Sequence, residues 1–156
     1  MRDKGVEHPT TIVNTNAKIE EGTYQICKSL EADGVCHAEI RSSLKSLEGE
    51  DEEAYLQALL RGIARATQDY FSGHFSACVL LSVQRDSNRE FIQKTVRLAV
   101  EYMRKGVVGI DISGVSTKGN IQPHLDELRR ARTAGLFITA HIGESFDEAD
   151  QMLILD

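Results

Sequence analysis

The chain has 156 residues, with 18 lysines and arginines against 24 aspartates and glutamates, and its formal net charge is −6. This length is typical of one domain, and a content of 41% hydrophobic and 27% charged residues is typical of a globular protein rather than a disordered one. The acidic balance argues against a DNA-binding protein, which holds phosphates with clustered basic residues, and no apolar run approaches the roughly 20 residues of a membrane-spanning helix.

The first third of the chain predicts an arm, a helix and a strand. Residues 1–17 are polar and without a clear period, so we predict a flexible N-terminal arm followed by one domain over residues 18–156. A helix is predicted over residues 18–32, where Gly34 closes it. Its apolar side is predicted to consist of Ile19, Tyr24, Ile26, Cys27 and Leu30. A short strand is predicted over residues 35–40.

The rest of the chain alternates helices and strands. The acidic residues of 48–53 favour a helix start, because they complement the helix dipole. Continuous apolar runs predict strands over residues 76–83, 107–112 and 136–140, and helical spacing predicts helices over residues 55–70, 90–105, 122–134 and 146–156. Apolar strands that alternate with amphipathic helices are typical of a parallel sheet covered by helices. We therefore predict an α/β fold with about four parallel strands.

The three cysteines indicate reduced thiols. Cys27, Cys36 and Cys78 include no Cys-x-x-Cys pair and cannot all pair with one another. Cys36 and Cys78 lie in apolar runs, so we predict that both are small buried hydrophobic residues. The polar N-terminal residues also lack the apolar stretch of a secretory signal. These features favour a cytoplasmic protein.

Polar side chains follow each predicted strand where it ends. They are Glu39 and Arg41, then Arg85, then Asp111, and finally His141 with Glu144. Because the carboxyl ends of parallel strands meet at one edge, we expect these groups to gather where α/β folds bind ligands. For Arg41 or Arg85 alone, a return to polar sequence after a strand is an equally good explanation. The roles of Glu39, Arg41 and Arg85 stay open.

The sharpest local pattern is His141-Ile-Gly-Glu144. A histidine at a strand end can offer a ring nitrogen to a metal, and a glutamate three residues later can act as a general acid or base. A loop histidine that bonds a backbone carbonyl is the commoner explanation of such a short pattern. Only one ligand is visible here, whereas a catalytic zinc takes about three protein ligands.

Asp111-Ile-Ser-Gly114 ends the third predicted strand. Gly114 would let a backbone N–H approach a flat ligand, and Asp111 would bind that ligand or orient a neighbour. The structural alternative is an aspartate that caps a turn, followed by a glycine that the turn needs for its positive φ.

Three segments together resemble the adenosine deaminase-like family of metal-dependent amidohydrolases, which includes deaminases of adenosine and of N6-methyl-AMP. They are HAEIR at residues 37–41, VVGIDISG at 107–114 and ARTAGLFITAHIGE at 131–144. The resemblance covers residues 18–156 in matching order. It implies a partial (β/α)8 barrel that corresponds to strands two to five of eight. Members use a zinc-activated water to remove the 6-amino group of a purine.

The resemblance also implies roles for four residues. His141 would be a zinc ligand, and Glu144 would be the acid that protonates the purine ring. Gly114 would contact the purine, and Asp111 would support its loop. The His-x-His pair of the family does not occur in these 156 residues, nor do its later histidine ligand and Asp-Asp pair. This chain alone therefore lacks most of the usual zinc ligands.

Two functional hypotheses follow. In the first, the chain is a fragment or truncated form of a zinc-dependent deaminase of a purine nucleoside or nucleotide. In the second, it is a catalytically inactive, deaminase-derived structural or interaction module. A second copy or a partner chain would then cover the open sheet edges, because unpaired edge strands invite association. A full barrel takes about 250 residues, so the length favours a partner in either case. An unrelated α/β domain fits the ordered match less well.

Overall fold

The computed structural model describes residues 14–47, 49–69, 75–144 and 147–155. The chain divides into two units, one formed by Met1–Ala38 with Lys45–Ala77 and one formed by Glu39–Leu44 with Cys78–Asp156. Most of the predicted N-terminal arm lies outside the described residues, as do the predicted helix end at residue 70 and the predicted helix start at residue 146.

The first unit contains helices α1 (Asn16–Ala32) and α2 (Glu52–Asp69). Helix α1 begins two residues before its predicted start, because the hydroxyl of Thr15 accepts a hydrogen bond from the Lys18 backbone N–H at 3.1 Å. Ile26 was predicted on the packed side of this helix, but it is 52% exposed. The apolar stripe of α1 is therefore narrower than the sequence indicates.

Helices α1 and α2 approach closely at Gly62. A Cβ atom on this glycine would lie 2.5 Å from the backbone oxygen of Glu20, so the contact requires a residue without a side chain. Beside it, Arg61 donates a hydrogen bond to the Glu20 carboxylate at 2.7 Å, which lowers the pKa of that carboxyl. Cys27 is fully buried in this unit, and burial raises the pKa of its thiol.

The second unit contains most of a four-stranded sheet. Its strands are β1 (His37–Ser42), β2 (Ser76–Gln84), β3 (Val107–Ser113) and β4 (Phe137–Ala140). They lie in the order β1-β2-β3-β4, and β3 pairs in parallel with both β2 and β4. The predicted α/β class, with about four parallel strands and flanking helices, is confirmed.

Burial separates the central strands from the edge strands. β2 and β3 are buried along most of their length, as expected when helices cover both faces of a parallel sheet. β1 and β4 instead alternate between exposed and half-buried residues, and Phe137 of β4 is 74% exposed. Residues that are apolar in sequence therefore differ in burial according to their place in the sheet.

The first strand was predicted with its ends in the wrong place. β1 begins two residues later than predicted, and Cys36 is exposed rather than buried, because it precedes this half-exposed edge strand. The prediction for Cys78 is confirmed, since it is buried in the central strand β2. Burial and, to a lesser extent, the negative charge of Glu39 raise the pKa of the Cys78 thiol.

Three helices accompany the sheet, namely α3 (Arg89–Glu101), α4 (Leu125–Thr133) and α5 (Glu148–Leu155). Helix α3 ends before the predicted residue 105, because the chain tightens into a 3-10 turn that Gly106 closes at a φ of 115°. A similar turn over Gln122–His124 delays the start of α4. In the described part of the chain, no helix is long and apolar enough to cross a membrane.

We expect Gly109→Ala to destabilise the sheet. A Cβ atom at this position of β3 would lie 2.4 Å from the Phe137 backbone oxygen and 2.9 Å from Leu80 Cδ2, so the strands would have to move apart. Forced overpacking of this kind costs about 1–3 kcal/mol of folding free energy, which urea unfolding would measure. The matched control is Gly22→Ala in α1, where nothing lies within 4 Å of the added atom. A Gly109→Ala protein as stable as the original would contradict the expectation.

Candidate functional site

The carboxyl ends of the strands bring the predicted site residues together in the second unit. The sheet register places Ser82 of β2 beside Asp111 of β3, and His141 directly follows β4. The His141 backbone N–H donates to the Ile112 carbonyl at 2.8 Å, which continues the pairing of β4 with β3 by one residue. Arg41 comes from β1, so each of the four strands contributes a group to this edge.

Asp111 is the buried charge at the centre of this group. Its side chain is 2% exposed. One carboxylate oxygen, Oδ2, accepts a hydrogen bond from the Ser82 hydroxyl at 2.9 Å. The other oxygen, Oδ1, lies 3.4 Å from Nη1 of Arg41 and 3.5 Å from Nε2 of His141. A buried carboxylate needs a compensating positive charge, and the guanidinium of Arg41 supplies one.

The hydrogen bonds of His141 determine which ring nitrogen carries the proton. Nε2 lies 2.6 Å from Nη1 of Arg41. Because a guanidinium has donors and no acceptor, Nε2 must accept this bond with its lone pair. The proton is therefore on Nδ1, which lies 3.0 Å from Oε1 of Glu144 and donates to it. The ring is held in position from both sides in this arrangement.

This arrangement has the donor chemistry of part of a metal site. A metal-binding histidine offers a lone pair from one nitrogen while a carboxylate holds the other N–H, as Glu144 does here. His141, Asp111 and Glu144 do not converge on one point as three ligands would. His141 therefore fits one ligand position of a zinc site.

Arg85 has a role that the sequence left open. Its side chain is 2% exposed, and Nε and Nη2 bind the Asp150 carboxylate at 2.8 Å each. Nη1 donates to the carbonyls of Ser113 and Gly114 at 3.3 and 2.8 Å, and Nη2 also donates to the carbonyl of His141 at 2.6 Å. These five bonds use all five N–H donors of a guanidinium. Arg85 thus ties the ends of β3 and β4 to helix α5.

Three of the four predicted site residues line a cavity of about 160 Å³ at this edge. Gly114, His141 and Glu144 line it together with Arg85, Val115, Ser116, Gly143, Asp150 and Gln151. Asp111 is buried and is not part of the cavity lining, but it contacts His141, which is. Pockets for drug-sized ligands occupy about 300–1,000 Å³, so this one is suited to a single small ring system.

A larger cavity of about 560 Å³ lies elsewhere in the second unit, between α4, β4 and α5. Most of its lining is aliphatic, including Leu128, Ile138 and Leu153. It contains none of the four predicted site residues. The smaller cavity therefore contains the polar groups that could bind a ligand or take part in catalysis. The larger cavity lies along the edge strand β4 and is mainly aliphatic.

A sequence model of the adenosine deaminase family matches residues 5–150. Among curated proteins, N6-methyl-AMP deaminase-L of Xenopus laevis is 27% identical over 148 residues, which are 92% of this chain and 42% of the relative. The chain thus spans less than half the length of the curated relatives it matches.

Solved structures with the same fold agree with this match. Arabidopsis ADAL, crystallised with GMP, superposes with a TM-score of 0.85 at 26% identity, over 94% of this chain and 45% of the other. An amidohydrolase from Burkholderia ambifaria, crystallised with bound zinc, superposes with a TM-score of 0.74 at 22% identity, over 84% of this chain and 36% of the other. The second likeness shows the fold alone.

Proposed function

Because the chain belongs to the adenosine deaminase family, we propose that it is a part of a zinc-dependent deaminase that removes the 6-amino group of a purine nucleoside or nucleotide. The observation that carries this proposal is the way in which the ring nitrogens of His141 are bonded. Its Nδ1–H is held by Glu144, which leaves the Nε2 lone pair as the ring's acceptor, and the ring borders a cavity suited to a purine base. A cytoplasmic location and a role in purine metabolism belong to the same proposal.

His141 would hold the zinc ion from this chain, with the remaining ligands from outside it, and Asp111 would support the loop that contacts the purine. When bound, zinc supplies a water molecule whose pKa is low enough for it to act as a nucleophile near neutral pH. The residues of the chain then bind and orient the purine. Gly114 has no side chain, so a flat ring can approach its backbone closely.

Glu144 would carry the proton chemistry. Its side chain is 65% exposed on the rim of the cavity and contacts His141, so a bound purine can meet its carboxyl group. As a general acid it would protonate a ring nitrogen while the nucleophile attacks the carbon that bears the amino group. Proton transfer of this kind typically contributes about 10²–10⁴-fold to a rate.

A second candidate function, an inactive module that associates with a partner, is favoured by one observation. The edge strand β4 exposes Phe137 by 74%, and Ile142 just beyond it by 41%. Exposed apolar residues on an edge strand are a common basis for association with another chain. The two candidates share a need for a partner and differ in whether the assembled site turns over substrate.

The test is to assemble the site and measure deamination. The chain would be co-expressed with a second polypeptide that carries the part of the Arabidopsis deaminase that this chain does not cover. With zinc present, we expect release of ammonia from adenosine or AMP, or of methylamine from N6-methyl-AMP, and little release by either polypeptide alone. His141→Ala serves as the control that removes the ligand. A stable, zinc-loaded assembly without turnover would overturn the proposal and favour the inactive module.

A further inference from the structure

We propose that Arg85 and Asp150 are positioning residues, whose ion pair sets the distance between the two groups that would bind and protonate the purine. Those groups are Gly114, which would contact the ring, and Glu144, which would be the general acid. The inference rests on the proposed function, because it takes both roles from there. It goes beyond that proposal in giving helix α5, through Asp150, a part in the reaction.

Arg85 lines the cavity, yet it has no hydrogen-bond donor left for a ligand. Its Nε and Nη2 bind the Asp150 carboxylate at 2.8 Å each. The remaining bonds go to the backbone carbonyls of Ser113 at 3.3 Å, Gly114 at 2.8 Å and His141 at 2.6 Å. A guanidinium has five N–H donors, and these five bonds use all of them. Arg85 therefore acts on the cavity through the groups that it holds, and not by contact with a ligand.

The groups that Arg85 holds are the backbone positions on which Gly114 and Glu144 depend. One bond fixes the carbonyl of Gly114 itself. The bonds to His141 and Asp150 lie on either side of Glu144 in the sequence, three residues before it and six after it. The Glu144 side chain is 65% exposed, so its placement depends on the backbone that carries it. One guanidinium thus joins both flanks of the acid to the backbone of the purine contact.

The ion pair is suited to this task because it is buried and directional. Arg85 is 2% exposed and Asp150 is 11% exposed. Two parallel bonds between a guanidinium and a carboxylate determine an orientation as well as a distance. Asp150 is itself held, since its backbone N–H donates to the Asp147 carboxylate at 3.1 Å. A continuous set of contacts therefore runs from the first turn of α5 through the guanidinium to the cavity.

The test compares Asp150→Asn with the original chain in the assembled, zinc-loaded protein. Asparagine keeps the size of the side chain but removes its charge and one of the two oxygens that bind Arg85. Because a misplacement of about 1 Å can cost about 10²-fold in rate, we expect kcat per folded molecule to fall about 10–100-fold while KM changes less than about twofold. The matched control is Glu148→Gln, an exposed carboxylate of the same turn outside the cavity lining, which should keep the original rate.

A second measurement needs no turnover and therefore separates this inference from the proposed function. The His141 backbone N–H donates to the Ile112 carbonyl at 2.8 Å, so its hydrogen exchange reports how firmly the chain is held just before Glu144. In the purified chain, Asp150→Asn should speed this exchange at least about tenfold more than exchange of the β2 amides, because a loss of global stability alone would speed both equally. If the assembled original protein does not deaminate, the proposed function fails and exchange alone decides the positioning role.

Two results would overturn the inference. One is an unchanged kcat per folded molecule in Asp150→Asn, and the other is equal acceleration of exchange at His141 and in β2. If Asp150→Asn does not fold, Asp147→Ala replaces it, because that variant removes the contact that holds Asp150 and leaves the carboxylate on Arg85. The same two changes, smaller in size, are expected there, and their absence would overturn the inference as well.

Discussion

Arg85→Met should lower the free energy of unfolding of the second unit by about 3–5 kcal/mol, the usual cost of removing one partner of a buried ion pair. Methionine keeps much of the volume, so the loss reports the five hydrogen bonds rather than a cavity. The carboxylate of Asp150, 11% exposed, would lose both of its bonds to the guanidinium. Three backbone carbonyls at the ends of β3 and β4 would lose a donor as well.

Urea unfolding, followed by hydrogen exchange of the β3 and β4 amides, would measure this loss where it occurs. Arg85→Lys should also be destabilised, because an ammonium group cannot reach Asp150 and three carbonyls with the planar geometry of a guanidinium. Arg97→Met is the surface control and should change stability by less than about 1 kcal/mol. An Arg85→Met protein with the stability of that control would show that the cluster contributes little.

Glu144→Gln should lower the rate of deamination by about 10²–10⁴-fold in the assembled, zinc-loaded protein. Glutamine keeps the size of the side chain and an oxygen that accepts the Nδ1–H of His141, which Glu144 accepts at 3.0 Å. It cannot give up a proton as a carboxylic acid does. The loss should therefore fall on kcat, while the affinity for zinc stays close to its original value.

The matched control is Glu148→Gln in the first turn of α5, an exposed carboxylate outside the cavity lining. That variant should retain the original rate. A loss of less than tenfold in Glu144→Gln would argue that another group handles the proton. A large loss of zinc affinity in the same variant would instead indicate that Glu144 serves mainly to hold the ring of His141.

The order of helices and strands could be predicted because its signals are local. The buried apolar runs of β2 and β3 can each be recognised within a few residues of sequence. The same is true of Gly106, which closes the turn before β3. The ends of β1 and the exposure of Cys36 could not be predicted in the same way. They depend on that strand lying at an edge of the sheet, which a local pattern does not encode.

The contacts of the site are a different case, because they join distant parts of the chain. The sequence indicates that Arg41, Asp111 and His141 share an edge, but Arg41 and His141 are 100 positions apart, and their contact depends on strand order and register. Arg85 and Asp150 are 65 positions apart. The feature of the sequence that marked Arg85 as a candidate was its position directly after a strand. Its partner could not be identified, since nothing near Asp150 marks it among the acidic residues of that segment.

All four strands contribute a residue to the site, and this determines which turns can change in length. The helices return to the opposite ends of the strands, where Gly106 precedes β3 and Gly135 closes the turn that leads into β4. Extra residues or a fluorescent label introduced at those turns would be far from Asp111 and His141. Insertions between a strand end and the following helix would instead displace the loop residues Gly114 and Glu144, which line the cavity. We therefore expect natural differences in loop length to be common at the turns that precede the strands and rare in the loops that follow them.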